Sequence, residues 1–337
     1  MDTADDRKVI GLLFSRLGKQ PVTLEAAIQD WLLDLETSNR TAKTLDGYRT
    51  NMQRFVWFCQ QMDYPETLAN LDRSHVQSFL SYVKTNKSRW GRDEKHAPSN
   101  KQVTPRTVAV YRTILHSFWN HCVDAGFVQD NIVAKIKPPK AEHRLVVPLK
   151  EEDIRALVDA CRKTQSVHKQ RDTAIVLLLI DTGLRASELC GVQLQDWDAK
   201  RLRVYGKGHK ERWLPLSAPT ARAISLYVTQ SRPETYYDEL FMGERGTPLQ
   251  PRGLYQMLKR RAREAGVSHV YVHLMRHSFA FAWCRSGGPL HALQAILGHA
   301  TPTMSMRYGR MASDDTTQLH HQHSPVERMG LRFKERK

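Results

Sequence analysis

The chain reads as mainly α-helical with a small antiparallel sheet, in two domains: an N-terminal helical bundle, then an α+β domain. Three observations predict this. Amphipathic helical periods recur through the first third of the chain. A basic stretch interrupted by Pro138 and Pro139 breaks that pattern. Beyond it, helical segments flank one alternating pair, RLRVYG and RWLPL, joined by a glycine-rich turn.

Residues 1–21 carry no strong period and form an N-terminal extension. Thr23 is suited to cap the helix LEAAIQDWLLDL, which runs to about Glu36. The next helix spans about 41–62, with Leu45, Tyr48, Met52, Phe55, Val56 and Cys59 on one face. A third covers about 73–84. A fourth starts near Pro105 and carries Val108, Tyr111, Leu115, Phe118, Trp119 and Cys122 to Gly126. Four such helices make a small all-α bundle over 22–132. Between the third and fourth lies KTNKSRWGRDEKHAPSNK. It is either a solvated loop or a DNA-tracking one, with Lys87, Arg89 and Arg92 on phosphates and Trp90 against a sugar or base.

Residues 133–147 read as a basic interdomain linker, with Lys135, Lys137 and Lys140 around the two prolines. The second domain, 148–315, opens with a helix in LKEEDIRALVDACRK. An apolar helix follows over 173–180 and ends at Gly183. The hairpin over 201–216 comes next, then helices at about 218–231, 251–265 and 274–286. Residues 316–337 form a polar and basic tail. Its His320, His321 and His323 lack an acidic or cysteine partner, so a solvated tail is the expectation and no metal site is assigned.

Composition narrows the function. Lys and Arg number 51 against 35 Asp and Glu, a net charge of +16, so an anionic partner is implied. Nucleic acid comes first. A membrane surface comes second, but no basic helix has a clean apolar face. The five cysteines are scattered without CxxC spacing, which favours reduced thiols over a disulfide framework. The N-terminus MDTADDRKVI does not read as a signal peptide, and the run IVLLLI is too short to cross a bilayer. A cytoplasmic setting is the expectation.

Four stretches carry chemistry. In DTGLRASELCG, Arg185 follows a sharp turn, and Glu188 lies one helical turn on. That pair is either an ordinary salt bridge or a guanidinium pre-aimed at a phosphate. In VYGKGHKERWLPL, Lys207 sits between two glycines at a hairpin tip. In HLMRHSFAFAW, His273 and Arg276 share a helix face. LGHA then sets His299 after a tight Gly298 turn, and TPTMSMRYGRM places Tyr308 on a short helix opened by Pro302.

Together, Arg185 in TGLRxSEL, Lys207 in GKGxKxR, His273 and Arg276 in HxxRH, His299 in LGH, and Tyr308 resemble the tyrosine recombinases, the phage integrase family. The resemblance covers about 148–312 and, more loosely, the helical domain, which would be the family's SAM-like core-binding bundle. It implies a site-specific recombinase that cleaves and rejoins duplex DNA through a 3′-phosphotyrosyl intermediate and a Holliday junction. Neither metal nor ATP is implied, and no cofactor. Tyr308 would be the nucleophile, and Arg185 and Arg276 the clamp on the scissile phosphate. His299 would donate to that phosphate, and His273 would be the general base for Tyr308. Lys207 would be the general acid, with Glu188 orienting Arg185. His277 is expected to be structural.

The resemblance further implies a C-shaped clamp on a specific core site and a homotetramer holding two DNA sites. Accessory DNA-bending or directionality proteins are compatible with it. The short extension before Thr23 is similar to the layout of Xer-type, integron or transposon-borne members. Integration, excision, resolution and transposition all stay open as the biological task, in a nucleoid-associated bacterial protein. Two other classes use overlapping features: a type IB topoisomerase relaxing one duplex, and a non-catalytic DNA-binding protein on the same fold.

Overall fold

The structure, a computed structural model, describes residues 21–38, 40–85, 103–139, 146–206, 210–299, 301, 306, 308 and 324–329. The chain divides into two compact units after Arg144.

The first unit contains α1 (Leu24–Thr37), α2 (Ala42–Gln61), α3 (Arg73–Thr85) and α4 (Pro105–Asp124). Threonines start three of them. Thr23, Thr41 and Thr104 each accept a backbone N–H of the first turn, from Ala26, Thr44 and Thr107. That satisfies donors which have no partner inside the helix. Aromatic residues on the inward faces lock the bundle. Trp31 stacks on Tyr48 with centroids 5.2 Å apart, and Phe55 meets Phe79 and Trp119 edge-on at 5.0 and 5.9 Å. Such pairs add to the burial of large apolar area.

Val133 and Ile136, which the sequence placed at the start of the linker, are buried in this same core. Arg112 on α4 donates to the carbonyls of Val133 and Ile136. The apolar alternation in NIVAKIK therefore belongs to the first unit, while Ala134 and the two lysines face solvent.

The second unit contains α5 (Glu151–Lys163), α6 (Lys169–Thr182) and the short α7 (Ala186–Cys190). Strands β1 (Arg201–Tyr205) and β2 (Glu211–Pro215) follow, then α8 (Ala218–Gln230), α9 (Pro251–Glu264), α10 (Val272–Arg285) and α11 (Leu290–Leu297). A last turn, α12, spans Pro325–Arg328. β1 and β2 pair antiparallel, with Arg201 opposite Pro215 and Tyr205 opposite Glu211. α6 is central. Ala174, Ile175, Val176, Leu178 and Leu179 are all fully buried, because its apolar residues run around the helix rather than along one stripe. Its polar start is neutralised inside: Asp172 accepts from both Arg171 and Arg261, all three buried.

Two helix ends bring three helices close together. Gly183 closes α6 with φ 62° and Gly298 closes α11 with φ 64°, both left-handed. A Cβ on Gly183 would lie 2.8 Å from both Leu297 Cδ2 and Phe279 Cδ1. The glycine thus serves both the turn and the close approach of α10 and α11. Helix α11 did not stand out in the sequence as a separate element. Among the described residues, no helix is long and apolar enough to cross a membrane.

Candidate active site

The ends of α6 and α11 converge on α10, and the candidate residues gather there. Arg276, on α10, is 5% exposed. Its Nη1 donates to the Gly183 carbonyl at 2.7 Å and its Nη2 to the Leu297 carbonyl at 2.8 Å. These are C-terminal carbonyls of two helices, left without intrahelical partners and at the negative ends of the helix dipoles. A buried cation is tolerated there, and its fork is fixed by two elements. Burial, then the charge of Arg185, lowers the Arg276 pKa to about 10, so it is a cation throughout the neutral range.

Arg185 stands at the N-cap of α7 in extended backbone. Its Nη1 donates to Glu188 Oε1 at 2.7 Å and its Nη2 to the Gly298 carbonyl at 3.3 Å. Glu188 Oε2 accepts the Arg185 backbone N–H at 2.9 Å. The salt bridge foreseen in TGLRASEL is therefore present, and its carboxylate is nearly sealed from solvent. Burial opposes that charge. The fork of Arg212, the Arg185 N–H and both cations outweigh it and hold Glu188 below the usual carboxylate range.

His299 follows Gly298 and is 9% exposed. Its ring lies nearly parallel to that of Tyr308, centroids 6.4 Å apart. Tyr308 is 7% exposed and sits in a small cluster with Ala280, Leu293 and Leu297. The Tyr308 hydroxyl is 2.5 Å from His277 Nδ1. The resemblance assigns the Tyr308 proton to His273 and the sequence reads His277 as structural; the structure places His277 in hydrogen bond with the hydroxyl. His273 lies exposed four residues earlier on α10, its pKa lowered by desolvation and by the charges of Arg276 and Arg185.

Burial first, then Arg276, Arg185, Arg212 and His277, lowers the His299 pKa from an ordinary 6.5 to about 4. The folded group takes its proton later than the unfolded one. Its stabilising contribution is thus fully present above about pH 6.5 and is lost as pH falls toward about 4. The expected NMR result on the free protein is a neutral His299 imidazole from pH 5.5 to 8. A midpoint near 6.5 would show that neither burial nor the cationic surroundings act on it.

Arg212 is the residue that sequence reasoning passed over. It stands in the stretch GKGHKER, but a half-buried, carboxylate-bound arginine looks in sequence like any strand cation. Its contacts reach Glu188 and the last turn of α11. Lys207 lies outside the described residues, at the tip joining β1 to β2, as do Lys87, Arg89, Trp90, Arg92 and Lys140. Lys135 and Lys137 are exposed on the first unit. Among the described residues, no group of His, Cys, Asp or Glu could hold a metal ion, and the His320 cluster lies outside them.

The phage integrase family profile matches residues 148–314. Tyrosine recombinase XerC of Chromohalobacter salexigens is 30% identical over 291 residues, covering 86% of this chain and 92% of that protein. Tyrosine recombinase XerD of Listeria innocua is 27% identical, covering 80% and 88%. Two solved structures share the fold at 17% identity. A lambda integrase dimer bound to a core site has a TM-score of 0.64, with 84% of this chain and 97% of that one covered. The Tn1549 transposon integrase with a circular intermediate DNA has a TM-score of 0.67, with 88% and 98% covered. With a relative 30% identical matched over 92% of its length, and Arg185, Arg276, His277, His299 and Tyr308 gathered at one place, the chain belongs to the tyrosine recombinases of the phage integrase family, site-specific enzymes that cut and rejoin DNA strands.

Proposed function

We propose that Tyr308 cleaves one strand of a specific duplex site while Arg185 and Arg276 hold the scissile phosphate. The observation that carries this is the convergence of two guanidiniums and a neutral histidine around one tyrosine. Tyr308 Oη attacks phosphorus, the Oη–P bond forms and the P–O5′ bond breaks. A 3′-phosphotyrosyl enzyme and a free 5′-hydroxyl result. Each arginine uses two of its five N–H groups on the protein, which leaves donors for the non-bridging oxygens as charge builds there. His299, neutral, adds one N–H. We assign the Tyr308 proton to His277, on the strength of the hydrogen bond. His273, exposed beside Arg276, is left to contact the phosphate. Lys207, at the hairpin tip, protonates the leaving 5′-oxygen.

The phosphotyrosyl bond retains the energy of the phosphodiester, so rejoining needs no ATP, and the arginines supply the charge stabilisation without a metal ion. Exchange between two duplexes involves four strands, so four protomers each contribute one tyrosine, and a Holliday junction separates the two rounds. The net charge of +16 suits a duplex partner, with Lys135 and Lys137 on its backbone. Such a protein acts in the compartment that holds the DNA, the bacterial cytoplasm. It would serve integration, excision, resolution or transposition, with or without accessory DNA-bending proteins.

The test starts with a duplex site selected from a randomised pool by covalent capture. A nicked version traps the cleaved state. The expected result is an adduct on Tyr308, formed equally in a chelator, and junctions between two site-bearing duplexes. Strict magnesium dependence would overturn the mechanism. Relaxation of any plasmid without junctions would make the protein a topoisomerase instead.

A further inference from the structure

Arg212 ties its own strand to two of the segments that carry the candidate site. It lies on β2, opposite Val204 of β1. Its Nε donates to the Ile296 carbonyl at 2.8 Å, and Nη1 and Nη2 donate to the two Glu188 oxygens at 3.0 Å each. The side chain is only 13% exposed. Glu188 on its other side holds Arg185 by side chain and backbone. One guanidinium therefore joins the hairpin that carries Lys207, the turn that presents Arg185, and the helix end that leads into His299.

The surroundings fit that cation. Ile296 belongs to the last turn of α11, where Gln294 and Ala295 accept from Gly298, and the Ile296 carbonyl accepts from Arg212. A Cβ on Gly298 would lie 3.0 Å from Arg212 Nη1, so glycine at this left-handed position also makes room for the fork. A carboxylate shared by two guanidiniums cannot neutralise both. Arg185 is thereby oriented by Glu188 without losing its charge to it, and the trio of two cations and one anion stays positive beside the place where a phosphate would bind.

We propose that Arg212 is a positioning residue for strand cleavage, which holds Glu188 so that Arg185 faces the scissile phosphate and keeps β2 in register with the end of α11 that leads into His299. This rests on Tyr308 being the cleaving residue. A lysine replaces Arg212 only in part, because one nitrogen cannot reproduce the three N–H bonds made from a planar fork to two partners. A residue that merely held the fold would lower stability without changing the chemical step in the folded protein.

The experiment measures single-turnover cleavage of the selected nicked duplex by the full chain, with DNA affinity, thermal unfolding and the His299 titration in parallel. Arg212→Met is expected to slow cleavage by about 100-fold, the size of effect that a small misplacement of reacting groups produces. DNA affinity stays within about threefold, since Arg212 is shielded from solvent and the basic surface is untouched. The His299 midpoint rises, because one of the cations that depress it is gone. Arg212→Lys restores charge without the fork, folds, and cleaves at an intermediate rate with a less shifted His299. An Arg212→Met protein that cleaves within about threefold of the parent rate overturns the assignment. So does a loss matched by an equal fall in folded fraction with His299 unmoved. A parent that forms no adduct overturns the cleavage reading itself, and is told apart by that control.

Discussion

Tyr308→Phe is expected to abolish covalent capture of a nicked duplex while leaving DNA binding intact. The change removes one oxygen. The ring keeps its place against His299 and among Ala280, Leu293 and Leu297, so the local packing survives. In the proposed mechanism the lost oxygen is the attacking atom. The rate falls by at least ~10⁴-fold, as for nucleophile deletions in covalent enzymes. Electrophoresis of denatured protein–DNA mixtures reads the adduct, and a gel shift reads binding. Persistence of the adduct at the parent rate would remove Tyr308 from the mechanism.

Arg276→Lys is expected to cost the cleavage step about 10²–10³-fold, the usual cost of removing one preorganised donor to developing oxyanion charge. Lysine keeps the charge but presents a single point. It cannot bond the Gly183 and Leu297 carbonyls from two fixed nitrogens and also meet a phosphate oxygen. Because those carbonyls are buried helix ends, stability also falls, by about 1–3 kcal/mol. The check is single-turnover rate beside a thermal melt. A variant that cleaves within about fivefold of the parent would show that Arg276 acts only as a helix cap.

Much of this was legible in one dimension. The helices of the first unit follow apolar faces spaced by three and four residues, with threonine caps where the pattern starts. The hairpin followed from alternation around a glycine turn, and the two strands pair antiparallel. Arg185, Glu188, Arg276, His299 and Tyr308 stood out because their residue types recur in short motifs that chemistry needs. Two things went unread. α11 is eight residues long, too short for a period to show against its glycine and proline flanks. Val133 and Ile136 alternate with lysines, so their burial was hidden by charge and by the prolines that follow.

The partners of the site residues are a different kind of information. Nothing in HLMRHSF says whether His273 or His277 meets the tyrosine, because both lie on one helix face and the answer depends on where the segment bearing Tyr308 docks. Nothing in HKERW says that Arg212 is enclosed by a carboxylate and a helix end contributed by segments 24 and 84 residues away. Period, caps and turns are local properties of the backbone, so the order of residues alone determined the elements and the motif set of this protein. Which charges are buried, shared or opposed is a property of distances between distant segments. Only the folded chain decided that Glu188 serves two arginines, that Arg276 caps two helices, and that His299 stays neutral among them.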